Sequence, residues 1–293
     1  MRIRRVSILA SLCTLGNGMC GFMAITLTTK ALLVSGTAHA TFQEGIRWAG
    51  YLIILAMVLD ALDGRLARFA RVTSDFGGQL DSLCDAISFG VAPAFLMNRV
   101  VVEGLRDVDL PFGVGRVLWI AWVCGAVYLA GALIRLARFN VENVHDEEAH
   151  LSFRGLPSPA AAGALVSLVI VLAGCWQEAE PGAAARVMLW VLPAVAVVLG
   201  LLMVSNLRYG HLLNQFIRGR RPLSHLVLIG LCIALAFLLR EVILPVGFGA
   251  YALSGPVLGV CRRFARPRGP RAPEGSGGPV PGPGGPPSPA QRG

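Results

Sequence analysis

Charge is the scarce ingredient of this sequence. Only 15% of its 293 residues are Asp, Glu, Lys or Arg, whereas a soluble domain carries about a quarter. The shortage excludes an ordinary soluble fold. Paired metal or redox cysteines are also missing. The seven cysteines (Cys13, Cys20, Cys84, Cys124, Cys175, Cys232, Cys261) form no CxxC pair, and the five histidines are scattered without HExxH-like spacing. That excludes a zinc site of the usual spacing and a disulfide framework, and leaves the cysteines as small apolar residues. There is no internal repeat of about 20–50 residues, which argues against a repeat array.

What is present is apolar length. Fifty-five per cent of the residues are apolar, and runs long enough to cross a bilayer, about 20 residues each, recur. Eight are expected, at 8–33, 48–68, 82–102, 117–137, 158–176, 187–205, 223–240 and 242–261. The last is interrupted by Pro245, Gly247, Gly249, Gly255 and Pro256. The first follows Arg2, Arg4 and Arg5, as in a secretory signal, but it is too long for one, and Asn17 and three glycines break it. The expected fold is therefore all-α, a polytopic membrane helix bundle. From about residue 265 the chain turns to Pro, Gly, Ser and Arg, a composition that cannot bury a core and is expected to be disordered.

The net charge of +9 suggests nucleic acid until its distribution is read. With eight alternating spans and a cytoplasmic N-terminus, 19 of the 26 basic residues fall on the cytoplasmic side. That bias follows the positive-inside rule. It matches lipid headgroups and phosphates as partners, with no nucleic acid, and places the protein in the cell membrane with its polar loops, 69–80, 138–157 and 206–222, in the cytoplasm.

Four acids stand at the edges of two apolar segments, in the string Asp60-Ala-Leu-Asp63-Gly64-Arg-Leu-Ala67-Arg68, then Gly77-Gly-Gln-Leu-Asp81-Ser-Leu-Cys-Asp85. Asp60 and Asp63 are three apart and Asp81 and Asp85 four apart, so each pair shares a helix face. Acids at such a depth are costly unless protonated, paired or holding cations. Facing pairs of carboxylates make an all-oxygen cage for two divalent ions, Mg2+ or Mn2+, that suits a diphosphate. Asp85, the last, is the candidate to accept a proton from an attacking hydroxyl. Gly64 clears space for a phosphate or nucleotide, Arg68 can fork onto a phosphate, and Gly77 is expected to turn the loop back before a helix that starts near Asp81. Ordinary interfacial acids paired with Arg65, Arg68 and Arg71 are the plainer alternative, and they leave the interleaved glycines unaccounted for.

The string has the form DxxDGxxAR…GxxxDxxxD and resembles the signature of the CDP-alcohol phosphotransferases. That resemblance implies displacement of CMP from a CDP-linked lipid or alcohol by a hydroxyl acceptor, with two metal ions. It implies Asp60, Asp63 and Asp81 as metal ligands, Asp85 as ligand and general base, and Gly64, Arg68 and Gly77 around the CDP portion. A six-helix catalytic core within 1–210 and a homodimer are implied as well. Residues 211–264 would be additional helices, and 265–293 the tail.

Further segments resemble the phosphatidylserine synthases of the CDP-diacylglycerol type. They are 12–22 with Asn17, Ser82 and Asp85 through Pro93, Arg135 to Asn140, Gly155 to Ala162 and Leu202 to Asn206. The implied substrates are CDP-diacylglycerol and L-serine. Asn17 either contacts the nucleotide or bonds a neighbouring helix. Arg135, Arg138, Asn140 and Arg154 are candidates for the serine carboxylate, with membrane-anchoring arginines as the alternative. Glycerol 3-phosphate or inositol phosphate are competing acceptors, and a cation transporter is the competing class. The motif matches stop before the last two spans, which are therefore expected to be peripheral to catalysis.

Overall fold

The computed structural model describes residues 2–34, 39–70, 75–106, 113–145, 153–176, 181–209 and 240–264. Seven helices make up nearly all of it. They are α1 (Arg2–Val34), α2 (His39–Ala70), α3, α4 (Val114–His145), α5 (Ser158–Cys175), α6 (Ala183–Val204) and α7 (Arg240–Phe264). α3 is composite: Asp75–Asp85 is α-helical, Ala86–Val91 is π-helical, and Ala92–Gly104 is α-helical again. The first six are long and apolar enough to cross a bilayer, so the chain is a multi-pass membrane protein. In α7 the apolar part, Ile243–Leu258, is shorter. Residues 223–239 of the expected span 223–240, and the tail 265–293, lie outside the described residues.

Burial separates centre from rim. Within the spans 67% of α5 and 56% of α3 are buried, against 28% of α2 and 33% of α1 and α4. α5 can sit in the middle because it is apolar and small-sided all round, with Ala161, Ala162, Gly163 and Ala164 at its start. The peripheral helices turn large apolar side chains outward, among them Met19, Phe22, Trp119, Trp122 and Leu201. In a membrane these meet acyl chains rather than water.

Close approach between helices is made by glycine, as expected where no aqueous hydrophobic force drives packing. A Cβ on Gly131 of α4 would stand 2.5 Å from the Gly200 carbonyl oxygen of α6, and one on Gly200 would stand 3.0 Å from the Tyr128 Cα. Gly18 and Gly21 of α1 face α3 in the same way. A Cβ there would lie 2.9 Å from the Cys84 Sγ and 2.8 Å from the Ser88 Cα, respectively.

Two expectations about the polar connections are corrected. Residues 69–80 are not one long loop: α2 runs to Ala70 and α3 begins at Asp75. Gly77 therefore lies inside the first turn of a helix instead of turning a loop, and Asp81 sits well past the N-terminus, where helix-end stabilisation has faded. Residues 138–157 are likewise not all loop. α4 continues to His145, carrying Arg138 and Asn140 with it. After it, Phe153–Arg154 (β1) pairs antiparallel with Arg208–Tyr209 (β2), Arg154 opposite Arg208. Gly155 follows β1 at φ +85°, a conformation that favours glycine, and a side chain there would strike the Met203 carbonyl.

The C-terminal helix is packed into the bundle. The Tyr209 hydroxyl donates to the Ala252 carbonyl at 3.1 Å, and the Tyr209 and Tyr251 rings lie 5.8 Å apart. Phe248 covers Gly163 of α5.

Replacing Gly200 by Leu should force α4 and α6 apart. A loss of about 1–3 kcal/mol is expected from overpacking, read as a lower thermal midpoint in detergent; an unchanged midpoint would show that the two backbones do not touch.

Candidate active site

Asp60 and Asp63 stand on the last turns of α2, and Asp81 and Asp85 on the first part of α3. One carboxylate oxygen from each of Asp60, Asp63 and Asp81 lies within 4.8 Å of the others. The spacing explains this: an i, i+3 pair on one helix meets a facing residue of the next. Asp60 is half-buried, Asp63 buried, and Asp81 half-buried. The Asp63 carboxylate accepts from the Thr14 hydroxyl and the Gly64 backbone N–H. Yet the Asp63 Oδ2 and the Asp81 Oδ1 are buried with no hydrogen-bond partner among the described residues. Two orphaned carboxylate oxygens beside a third acid fit a hard divalent cation. The donor set is oxygen only and matches Mg2+ or Mn2+.

Asp85 lies one turn further along α3 and interacts electrostatically with Asp60 and Asp81. It is buried, and its Oδ1 accepts from the Asn17 Nδ2 at 2.9 Å. Asn17 is fully buried and its own Oδ1 has no partner among the described residues. Gly18 and Gly21 bring α1 close enough for this contact, so of the two readings of Asn17, the bond to a neighbouring helix is present.

The π-helical stretch begins directly after Asp85, and π-bulges commonly accompany functional sites. Its cause can be followed. Pro93 has no N–H, so the Phe89 carbonyl, four residues earlier, loses its helical donor. The buried Tyr128 hydroxyl of α4 donates to that carbonyl instead, at 2.9 Å. The Ser88 hydroxyl donates to the Asn17 carbonyl at 2.8 Å. These two bonds tie the segment behind Asp85 to both neighbouring helices.

Among the expected basic residues, Arg135 turns into the bundle. It donates to the buried Ser158 hydroxyl at the start of α5. It also interacts electrostatically with Asp60, Asp85 and Tyr251. Arg138 is elsewhere, with both its Nη atoms 3.2 Å from the Asn206 Oδ1. The Asn140 Oδ1 accepts from Ser82, the neighbour of Asp81, at 3.0 Å. The side chains of Arg68 and Arg154 lie outside the described part of the structure. Around Gly64 there is open space, with nothing within 4 Å of an added Cβ. A substrate can approach Asp63 from that side.

Comparison with known proteins decides the family. Residues 7–202 match the family model described as CDP-alcohol phosphatidyltransferase. The chain belongs to the CDP-alcohol phosphatidyltransferase family. It is a membrane transferase of phospholipid biosynthesis. A CDP-diacylglycerol–serine O-phosphatidyltransferase of Helicobacter pylori is 35% identical over 208 residues, covering 71% of this chain and 77% of that protein. Proteins of the same name from Methanocaldococcus jannaschii and Bacillus subtilis are 31% and 33% identical, over 63% and 53% of this chain and 71% of each relative.

Several residues around the acids have no signal in the acid spacing. Thr14 is one turn before Asn17 on the same face of α1, so helical periodicity from Asn17 finds it. Ser158 and Tyr128 meet the site only through tertiary packing. Tyr251 belongs to α7, outside the matched residues, and interacts electrostatically with Arg135.

Asn17→Ala removes the hydrogen bond to a buried carboxylate. A cost of about 1–3 kcal/mol is expected for the unpaired group, together with reduced CMP release. A variant with the wild-type thermal midpoint and full activity would show that the contact is idle.

Proposed function

We propose that the protein makes phosphatidylserine and CMP from CDP-diacylglycerol and L-serine. The observation that carries the reading is the placement of Arg135 and Asp85 beside the Asp60–Asp63–Asp81 group. That juxtaposition offers a cation for an acceptor carboxylate next to a base for its hydroxyl. The names borne by the relatives support serine as that acceptor.

Asp60, Asp63 and Asp81 would hold two divalent ions, with Asp85 contributing a ligand. Bound there, the ions would offset the charge of the diphosphate. Asp85, oriented by Asn17, takes the proton of the serine hydroxyl. The serine oxygen forms its bond to the lipid-side phosphorus as the bond from that phosphorus to the bridging oxygen breaks. CMP leaves with that oxygen, and no covalent enzyme intermediate is needed. Gly64, Arg68 and Gly77 would border the CDP portion. Arg135 is the favoured partner for the serine carboxylate; Arg138, Asn140 and Arg154 are the secondary candidates.

The catalytic domain is assigned to 1–210, with the helices of 211–264 appended and 265–293 as a tail. The arginine distribution supports a cytoplasmic site in the cell membrane. The family resemblance supports a homodimer.

An acceptor screen with CDP-diacylglycerol in detergent tests the reading. Mg2+- or Mn2+-dependent CMP release with L-serine is expected; release with glycerol 3-phosphate or inositol phosphate but not with serine overturns the choice of acceptor. In the same assay Asp85→Asn should lower turnover by about 10²–10⁴-fold, the size of general-base catalysis, with an unchanged thermal midpoint. Full activity in that variant would remove Asp85 from the reaction.

A further inference from the structure

A second feature lies at the other end of α3. A groove of about 450 Å³ opens between α3 and the beginning of α4, lined by Asn98, Arg99, Val102, Gly115, Leu118, Trp119 and Trp122. From Asp81 to Asn98 is 17 residues, which at about 1.5 Å each is roughly 25 Å of helix. That length nearly crosses the hydrocarbon core, so the groove faces the opposite membrane boundary from the acids.

Its walls differ in chemistry. Leu118, Trp119 and Trp122 are apolar and exposed, and the two tryptophan rings meet edge to face with centroids 5.9 Å apart. At the polar end the Arg99 guanidinium lies 5.2 Å from the Phe95 ring centroid. That contact pins an exposed cation at the groove mouth, and no carboxylate pairs with it among the described residues. An added Cβ at Gly115 would meet nothing within 4 Å, so the absent side chain leaves room in the groove.

We propose that this groove binds one anionic phospholipid of the bilayer, its phosphate on Arg99 and an acyl chain along Trp119 and Trp122. A groove open to lipid at this depth is filled by lipid. The exposed arginine makes the preference anionic. The inference depends on the chain spanning a membrane and is independent of the acceptor used at the acid site.

Quenching of tryptophan fluorescence by brominated lipids tests it on the full chain, with Trp119→Phe and Trp122→Phe assigning the signal. Vesicles with brominated phosphatidylglycerol are compared with brominated phosphatidylcholine. A preference of about fivefold for the anionic lipid is expected, the size that one arginine at a charged surface supplies. Arg99→Gln should abolish the preference, and Gly115→Leu, which fills the groove, should abolish it as well while leaving ordinary bilayer quenching of these two exposed rings. Arg116→Gln, which alters a cation at the same boundary outside the groove, should change neither. Equal quenching by both lipids in the wild-type protein, or an equal loss in Arg116→Gln, would overturn the proposal in favour of ordinary bilayer contact.

Discussion

Carboxylates that face one another inside a membrane helix bundle repel strongly, because little water is present to screen them. Asp60, Asp63 and Asp81 nevertheless converge, and each interacts electrostatically with another of the three. Among the described residues the surroundings supply less than the acids need. Thr14 and the Gly64 amide serve one side of Asp63, Asn17 serves Asp85, and Arg135 is a single cation shared by Asp60 and Asp85. Oxygens on Asp63 and Asp81 are left over. A bound divalent cation would complete that set.

The arrangement is built from thin contacts. Gly18 and Gly21 let α1 lie against α3, which delivers Asn17 to Asp85. Pro93 breaks the hydrogen-bond ladder of α3, and Tyr128 repairs it from α4. The π-helical turn that results sits immediately after Asp85. Ser158, at the head of the buried α5, fixes Arg135. The helices around the site thus contribute several short-range contacts, and the acids are positioned by backbones that glycine allows to approach.

The acid string, the six long spans and Asn17 were legible in the sequence because they depend on spacing along one chain. Three-residue and four-residue separations define a helix face, and span length is set by bilayer thickness. What depended on tertiary contact was not legible. Gly77 reads as a loop residue, yet Asp75 starts the helix earlier and takes the glycine inside it. Arg135 and Arg138 read as equivalent, although one turns to Ser158 and the acids and the other to Asn206. The short pairing of Phe153–Arg154 with Arg208–Tyr209 has no strand-like pattern, being only two residues a side. Tyr251 gave no sign of nearing the site, because its approach depends on how α7 packs on α5 and on Tyr209.

Cation binding by acids from two helices is tested most directly by anomalous scattering from the protein loaded with Mn2+. The prediction is a strong peak among the Asp60, Asp63 and Asp81 carboxylates, lost in Asp63→Asn. Well-ordered acids with no peak between them, or manganese bound only at surface positions, would contradict it.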